Sequence, residues 1–260
     1  MKNQLIITGI QADLIWENPK KNLEYFTQQI ENIPATTDIV VLPEMFATGF
    51  SMNTKVIAES LQGTTVSWMK TIAKTKNFAI CGSLPIREKH QFYNRFVFVR
   101  PSGKINTYDK RHTFSLAKED NSYQSGSKQI LITYKDWKIF PQICYDLRFP
   151  VWSRNKFNYD VLIYVANWPK IRSTAWKTLL KARAIENMVY TIGLNRVGVD
   201  ANNLVYSGDS LILDYFGETL SSLNKSEKGF ITAYLEKEAQ NKTRKKMGFL
   251  NDVDSFSIHS

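Results

Sequence analysis

Apolar residues along the 260-residue chain fall into short runs separated by polar stretches, and the runs carry two periods. Residues 5–12 are apolar and β-rich, which predicts a buried strand. Asn18 followed by Pro19 is the pattern of a helix N-cap with proline in the first turn, and Leu23, Phe26, Ile30 and Ile33 follow at helical spacing. Residues 39–42 form the next buried strand, 66–76 a helix and 78–84 a strand. Residues 93–99 and 105–108 flank Pro101-Ser102-Gly103, a hairpin signal, and residues 130–134 and 137–140 form another hairpin across Lys135-Asp136. Val161–Val165 is a buried strand. Residues 174–187 form a helix with Ser173 as its cap, and 189–194 a strand. Leu211–Leu213 and residues 230–234 add two strands around the turn at Gly217. No repeat and no Pro/Gly/Ser-rich linker interrupts this series. The pattern predicts one mixed α/β domain over residues 1–260, with helices covering sheets.

Composition narrows the function classes. Hydrophobic residues are 43% and aromatics 13%, enough to fill a core, so disorder is excluded as the main state. Cys81 and Cys144 cannot make a disulfide framework, and no zinc-type CxxC pair occurs. No apolar run approaches the roughly 20 residues of a membrane span, and residues 1–4 lead directly into the first strand without a signal-like core. A reducing, cytoplasmic setting is expected. The net charge is +10, with 34 Lys+Arg against 24 Asp+Glu. The excess is spread over Lys237, Lys242, Arg244, Lys245 and Lys246 and over Lys177, Lys181 and Arg183, without an RGG tract or zinc-finger spacing. That placement speaks for a solvated basic face, or for attraction of acidic small substrates, and against a nucleic-acid partner.

Three apolar strands end on reactive residues, the place where α/β enzymes put chemistry. Leu42-Pro43-Glu44 ends the second strand on a carboxylate flanked by apolar groups. Such a group suits a general base, although a loop glutamate would look the same. Asp109-Lys110-Arg111-His112 follows the hairpin, and its lysine is either a fixed ammonium for an anion or a solvated surface residue. His112 is either a base or a structural ring. Ile143-Cys144-Tyr145-Asp146-Leu147-Arg148-Phe149-Pro150 is a strand–turn–helix elbow that can present a thiol and aim backbone N–H groups at one spot. Its alternative is a buried free cysteine, the reading that Cys81 inside a strand takes outright.

Together these blocks resemble the signature of the nitrilase, or carbon–nitrogen hydrolase, superfamily. The order Glu44, Lys110, Cys144 matches, as do the separations of 66 residues (44 to 110) and 34 residues (110 to 144). Ala166-Asn167-Trp168-Pro169, and the helix carrying Trp176 and Arg183-Ala184-Ile185-Glu186-Asn187, are similar too. The likeness extends over residues 5–235. Within the superfamily, the segment from Glu44 to Phe50, Lys110-Arg111-His112-Thr113-Phe114 and Ala166-Asn167-Trp168-Pro169 look like the ω-amidase branch. Members of that branch hydrolyse the terminal amide of 2-oxoglutaramate or 2-oxosuccinamate to ammonia and the 2-oxo acid. An aliphatic amide, a carbamoyl amine or a nitrile would use the same triad.

The resemblance implies a four-layer α-β-β-α sandwich of two mixed β-sheets covered by helices. It implies a catalytic triad of Glu44, Lys110 and Cys144, with no cofactor and no metal. Glu44 would take the Cys144 proton, the sulfur would add to the amide carbonyl, and the Lys110 ammonium and the Tyr145 N–H would hold the oxyanion. No histidine is needed, which fits a chain holding only His90, His112 and His259. Glu119 is a second acid that positions Lys110 or the substrate, or else a surface residue. Asp146 and Arg148 are expected to brace the elbow as an ion pair. Phe46, Phe50 and Trp168 either wall the pocket or fill the core, and Arg172 either grips a distal carboxylate or is solvated. Dimers or larger assemblies are implied, formed through residues 174–187 and the C-terminal tail, 236–260.

Overall fold

The computed structural model describes residues 3–258; residues 1–2 and 259–260, with His259, lie outside them. The first half of the chain runs β1 (Gln4–Gln11), α1 (Pro19–Ile30), β2 (Ile39–Val41), α2 (Thr54–Ile57), α3 (Thr64–Lys76), β3 (Ala79–Glu88), β4 (Gln91–Val99) and β5 (Ile105–Asp109). Two 3₁₀ turns follow, Ser115–Ala117 and Glu119–Asn121. Then come β6 (Ile132–Tyr134), β7 (Trp137–Ile143), a 3₁₀ turn at Cys144–Arg148, α4 (Pro150–Ser153), β8 (Val161–Val165), a 3₁₀ turn at Lys170–Arg172 and α5 (Ser173–Asn187). The last part comprises β9 (Tyr190–Leu194), β10 (Val197–Val199), β11 (Val205–Ser207), β12 (Leu211–Leu213), β13 (Thr219–Ser222), β14 (Gly229–Glu236) and α6 (Lys237–Met247).

The strands make two six-stranded mixed sheets, ordered β14-β1-β2-β3-β4-β5 and β13-β12-β9-β8-β7-β6, plus the small β10–β11 ribbon. Alternation along each strand decides what lies between the layers. In β2, Ile39 and Val41 face the other sheet while Val40 faces α1 and α3; in β8, Val161, Ile163 and Val165 face inward while Leu162 and Tyr164 face α5. Both faces are therefore buried, which is why these strands read as unbroken apolar runs. Phe26 and Ile30 of α1 and Val66, Met69 and Ala73 of α3 cover one outer face. Trp176, Leu180 and Ala184 of α5 cover the other. The order of layers is helix, sheet, sheet, helix.

Local signals act as expected at several points. The Asn18 side chain accepts the Lys21 N–H, with Pro19 as first helical residue. Lys135 and Asp136 both take positive φ, 48° and 66°, the geometry of a tight hairpin turn between β6 and β7. Other expectations change. Ser173 is the first residue of α5 rather than its cap, which is Arg172. Ile33 lies beyond the end of α1. The strands β10, β11 and β13 and the helix α6 extend the pattern read from the sequence.

Candidate active site

Four strand ends meet at one end of the sandwich. β2 leads through Leu42 and Pro43 to Glu44, β5 into Lys110, β7 into Cys144, and β8 through Ala166 to Asn167. In the first sheet β2 and β3 run parallel, and β5 recovers that direction after two antiparallel turns; β7 and β8 are parallel in the second. Their carboxyl ends therefore open on the same side.

Glu44, Lys110 and Glu119 are fully buried. Lys110 Nζ donates to Glu44 Oε1 at 2.9 Å and to Glu119 Oε1 and Oε2 at 3.0 and 2.8 Å. Asn94 Nδ2 donates to the same two Oε1 atoms, at 2.8 Å to Glu44 and 3.0 Å to Glu119, and the Asn94 carbonyl oxygen accepts the Ser83 hydroxyl at 2.8 Å. Glu44 Oε2 accepts the Asn167 N–H at 2.8 Å, and Glu119 Oε2 accepts the Phe114 N–H at 2.6 Å. The solvated alternative for Lys110 and the surface alternative for Glu119 are thereby excluded. A buried ammonium is tolerable only when paired and hydrogen-bonded. Burial pulls the Lys110 value down, but the Glu119 and Glu44 carboxylates outweigh it, so the ammonium is held charged above its usual range. Burial raises Glu119, opposed by the Lys110 charge.

Cys144 opens the 3₁₀ turn at φ 45°, a left-handed conformation that a residue with a Cβ adopts only when its surroundings force it. Its thiol is pushed well above the ordinary range, first by burial and then by the Glu44 carboxylate, while Lys110 pulls the other way. The resting group is a thiol. Tyr145 stands in the first turn, where backbone N–H groups have no intrahelical acceptor.

Cys144 opens on a cavity of about 490 Å³, a size suited to small-molecule ligands. Phe50, Phe114, Tyr145 and Trp168 supply aromatic wall, and Trp16, Met52, Leu204 and Tyr206 join it, four residues that the sequence pattern does not single out. Phe50 also lies 5.2 Å from Lys110 Nζ, ring centroid to nitrogen. Arg172 lines the cavity with its guanidinium 5.2 Å from the Phe114 centroid, and Arg148 does so 5.0 Å from the Trp168 centroid. Such stacking holds a guanidinium in place. The third charged lining residue, Asp200, accepts from the Asn202 and Leu204 N–H groups and from the Tyr206 hydroxyl.

Two expectations are corrected here. Phe46 does not wall the cavity: it is fully buried between α1, α3 and the first sheet, against Phe26 and Trp68, and a Cβ on Gly82 would stand 2.8 Å from its ring. Asp146 and Arg148 do not pair. Asp146 spends its carboxylate on Tyr108, His112 and the Ile143 N–H, while Arg148 turns toward Trp168. Asn94 was missed, although it shares strand parity with the inward-facing Phe96 and Phe98, so a polar residue there marks a spot where the core becomes a site. Cys81 is buried within β3, as expected. Among the described residues, no three His, Cys, Asp or Glu side chains are grouped to hold a metal ion. No described helix is long and apolar enough to cross a membrane.

The chain is similar to known proteins over nearly its full length. The carbon–nitrogen hydrolase family matches residues 7–245. The chain is 42% identical over 255 residues to the omega-amidase YafV of Escherichia coli (strain K12), covering 98% of each chain. It is 31% identical over 252 residues to the 2-oxoglutaramate amidase of Bacillus subtilis (strain 168), covering 95% of this chain and 96% of that one. Among solved structures, XC1258 of Xanthomonas campestris, a CN-hydrolase superfamily protein with an arsenic adduct in its active site, superposes with a TM-score of 0.95 at 38% identity, covering 98% of this chain and 99% of that one.

Proposed function

The chain belongs to the carbon–nitrogen hydrolase family, and on that premise we propose that it is an ω-amidase, releasing ammonia from 2-oxoglutaramate or 2-oxosuccinamate through a Cys144 thioester. The observation that carries the reading is the composition of one cavity: a cysteine at an elbow beside a buried Glu–Lys–Glu cluster, and two guanidinium groups stacked on aromatic rings of the wall.

Each step has a group for it. Glu44 takes the thiol proton as the sulfur adds to the amide carbon, because the thiol is not ionised beforehand. The oxyanion forms beside the Tyr145 N–H and the Lys110 ammonium. Lys110 has three protons and three carboxylate oxygens within 3.0 Å, one of Glu44 and two of Glu119; for it to donate to the oxyanion, the two Glu119 oxygens must share a proton or one must yield its place. One such preorganised donor contributes roughly 3–4 kcal/mol to lowering the barrier. Glu44 then passes its proton to the nitrogen, the C–N bond breaks and ammonia leaves. Water, deprotonated by Glu44, adds to the thioester carbon; the C–S bond breaks, releasing the acid, and the proton returns to sulfur. Arg172, joined by Arg148, receives the distal carboxylate.

Pairing of two copies belongs to the same reading. Ile185 on α5, Phe216 and Met247 leave about half of their surface exposed, a side-chain set suited to a helix-mediated contact. A cytoplasmic setting would keep both free thiols reduced.

The test is ammonia release from a panel of 2-oxoglutaramate, 2-oxosuccinamate, an aliphatic amide, a carbamoyl amine and a nitrile. The 2-oxo acid amides should give the highest kcat/KM, and Cys144→Ala should abolish release. Preference for the nitrile or the carbamoyl amine, or turnover that survives Cys144→Ala, would reject the proposal. Sedimentation of the purified protein tests the pairing.

A further inference from the structure

Behind the nucleophile lies a third buried carboxylate, beyond Glu44 and Glu119, that the reaction just described does not use. Asp146 is fully buried and receives four donors: the Ile143 N–H at 3.0 Å, the Tyr108 hydroxyl at 2.8 Å, and both the backbone N–H (2.9 Å) and the ring Nδ1 (2.8 Å) of His112. A carboxylate so surrounded only accepts, so the His112 proton sits on Nδ1. The imidazole is fixed further by stacking on Phe149, 3.7 Å between centroids and 6° between planes. Tyr108 extends the network: its oxygen also accepts the Trp152 indole N–H at 3.0 Å and the Arg111 N–H at 3.2 Å. Burial and the Asp146 charge keep the Tyr108 phenol protonated and hence a donor.

The chain connectivity gives this network its meaning. Tyr108 near the end of β5, in the first sheet, and Arg111 and His112 on the loop after it flank Lys110. Ile143, the last residue of β7 in the second sheet, and Asp146, in the turn after it, flank Cys144. Asp146 is thus a rivet between the segment carrying the ammonium and the segment carrying the sulfur. The donors converging on it flank both reacting residues within three positions. Its bond to the Ile143 N–H also closes the turn that holds Cys144 at φ 45°.

We infer that His112 is a positioning residue: through Asp146 it fixes the Lys110 loop against the Cys144 elbow and so sets the ammonium–sulfur geometry. The inference rests on the Glu44–Lys110–Cys144 reading, but not on the identity of the amide. A misplacement of about 1 Å can cost about 100-fold in rate, so loss of a rivet should appear in kcat rather than in substrate affinity.

The experiment compares His112→Phe, which keeps a flat ring and loses the donor, with His112→Asn, whose amide nitrogen can take the place of Nδ1. Three quantities are read: kcat and KM for ammonia release, the rate of Cys144 alkylation by iodoacetamide followed by mass spectrometry, and the thermal midpoint. H112F should lose about 10–100-fold in kcat, with KM within about threefold and alkylation slowed in step, and H112N should recover to within about threefold of wild type. Wild-type kcat and alkylation in H112F, or H112N as slow as H112F, would overturn the inference. If H112F does not fold, Tyr108→Phe removes the other side-chain donor and must give the same loss in kcat and alkylation; unchanged rates there would also overturn it. Absence of ammonia from every panel substrate, with the alkylation pattern intact, would reject the ω-amidase reading while leaving the positioning role standing.

Discussion

Replacing Glu119 by glutamine tests the charge cluster most directly. Each Glu119 oxygen receives two donors, Oε1 from Lys110 and Asn94, Oε2 from Lys110 and the Phe114 N–H. A carboxamide must turn its NH₂ toward one of those donor pairs, whichever way it is flipped. The lost charge acts in two opposing ways. Attraction to Lys110 at 2.8 Å is roughly 6 kcal/mol at an effective dielectric of 20. Repulsion from Glu44 runs between oxygens bound to the same nitrogen at 2.9 and 3.0 Å, hence about 5 Å apart, and is roughly 3 kcal/mol on the same scale. Attraction wins by about 3 kcal/mol, in line with the 3–5 kcal/mol cost of breaking a buried pair. Urea unfolding of Glu119→Gln should therefore give a stability lower by about 3–5 kcal/mol. Ammonia release, measured where the variant is fully folded, should fall by about 100–1,000-fold in kcat, because the ammonium loses the bidentate anchor that aims it. A stability within about 1 kcal/mol of wild type together with kcat within threefold would refute both the charge balance and the role given to Lys110.

The cavity wall and the buried groups lead to further expectations. Arg148→Met and Arg172→Met should each raise KM for 2-oxoglutaramate by about 10–100-fold, the contribution of one charge-assisted hydrogen bond, with little change for a neutral aliphatic amide; equal effects on both substrates would remove the carboxylate contact. Phe46→Ala should cost about 3–5 kcal/mol in chemical denaturation and leave KM unchanged, since the ring fills the helix–sheet core; a raised KM would return it to the pocket. Stability should also fall in alkali. The folded state holds Cys144 and Lys110 protonated above their ordinary values of 9.0 and 10.5, so the unfolded chain releases those protons first. That stability is fully present below pH 9 and declines as pH rises, by at most about 1.4 kcal/mol per unit per group. Cys144→Ala should flatten the decline between pH 9.0 and 10.5 in denaturation titrations, and parallel curves would contradict the raised thiol.

Much of this was legible because apolar strands that end abruptly on Glu44, Lys110 and Cys144 carry their meaning locally. The order and spacing of those ends tied them to one family before any contact was visible. What stayed hidden depended on side-chain direction. Phe46 stands two residues from Glu44, yet it points into the helix–sheet layer while the carboxylate points at Lys110; Met45 between them has φ 44°, so the alternation expected of a strand does not continue. Glu119 sits in a polar loop, and nothing in Lys118-Glu119-Asp120 distinguishes the buried acid from its neighbour Asp120, which is exposed. The helix α6 has almost no apolar face, because it docks by hydrogen bonds from Gln240 to the Asp160 and Met188 carbonyls and from Arg244 to the Tyr159 carbonyl. A hydrophobic periodicity has nothing to report there. For the same reason part of the C-terminal positive charge is not a solvated face: Lys237 and Arg244 are spent on Asp160.

The charge count of the cluster also explains why Cys144 is held as a thiol. Glu119 is surrounded by donors alone, as a carboxylate is, and with Glu44 it gives two carboxylates to one ammonium, a surplus of one negative charge in a water-poor site. A resting thiolate would be a third anion with no further cation, which is the physical content of the raised Cys144 value. In the proposed addition the proton would leave sulfur for Glu44 while the negative charge would appear on the former carbonyl oxygen. The total is the same before and after. No new charge would form in the cavity; a charge would move from a carboxylate to an oxyanion, both of which the proposal sets beside the Lys110 ammonium. Moving a charge along a fixed cation costs far less than creating one there. On the proposed mechanism it is Glu44, as the acceptor of the thiol proton, that would keep the reacting site at constant charge, while Glu119 anchors the ammonium.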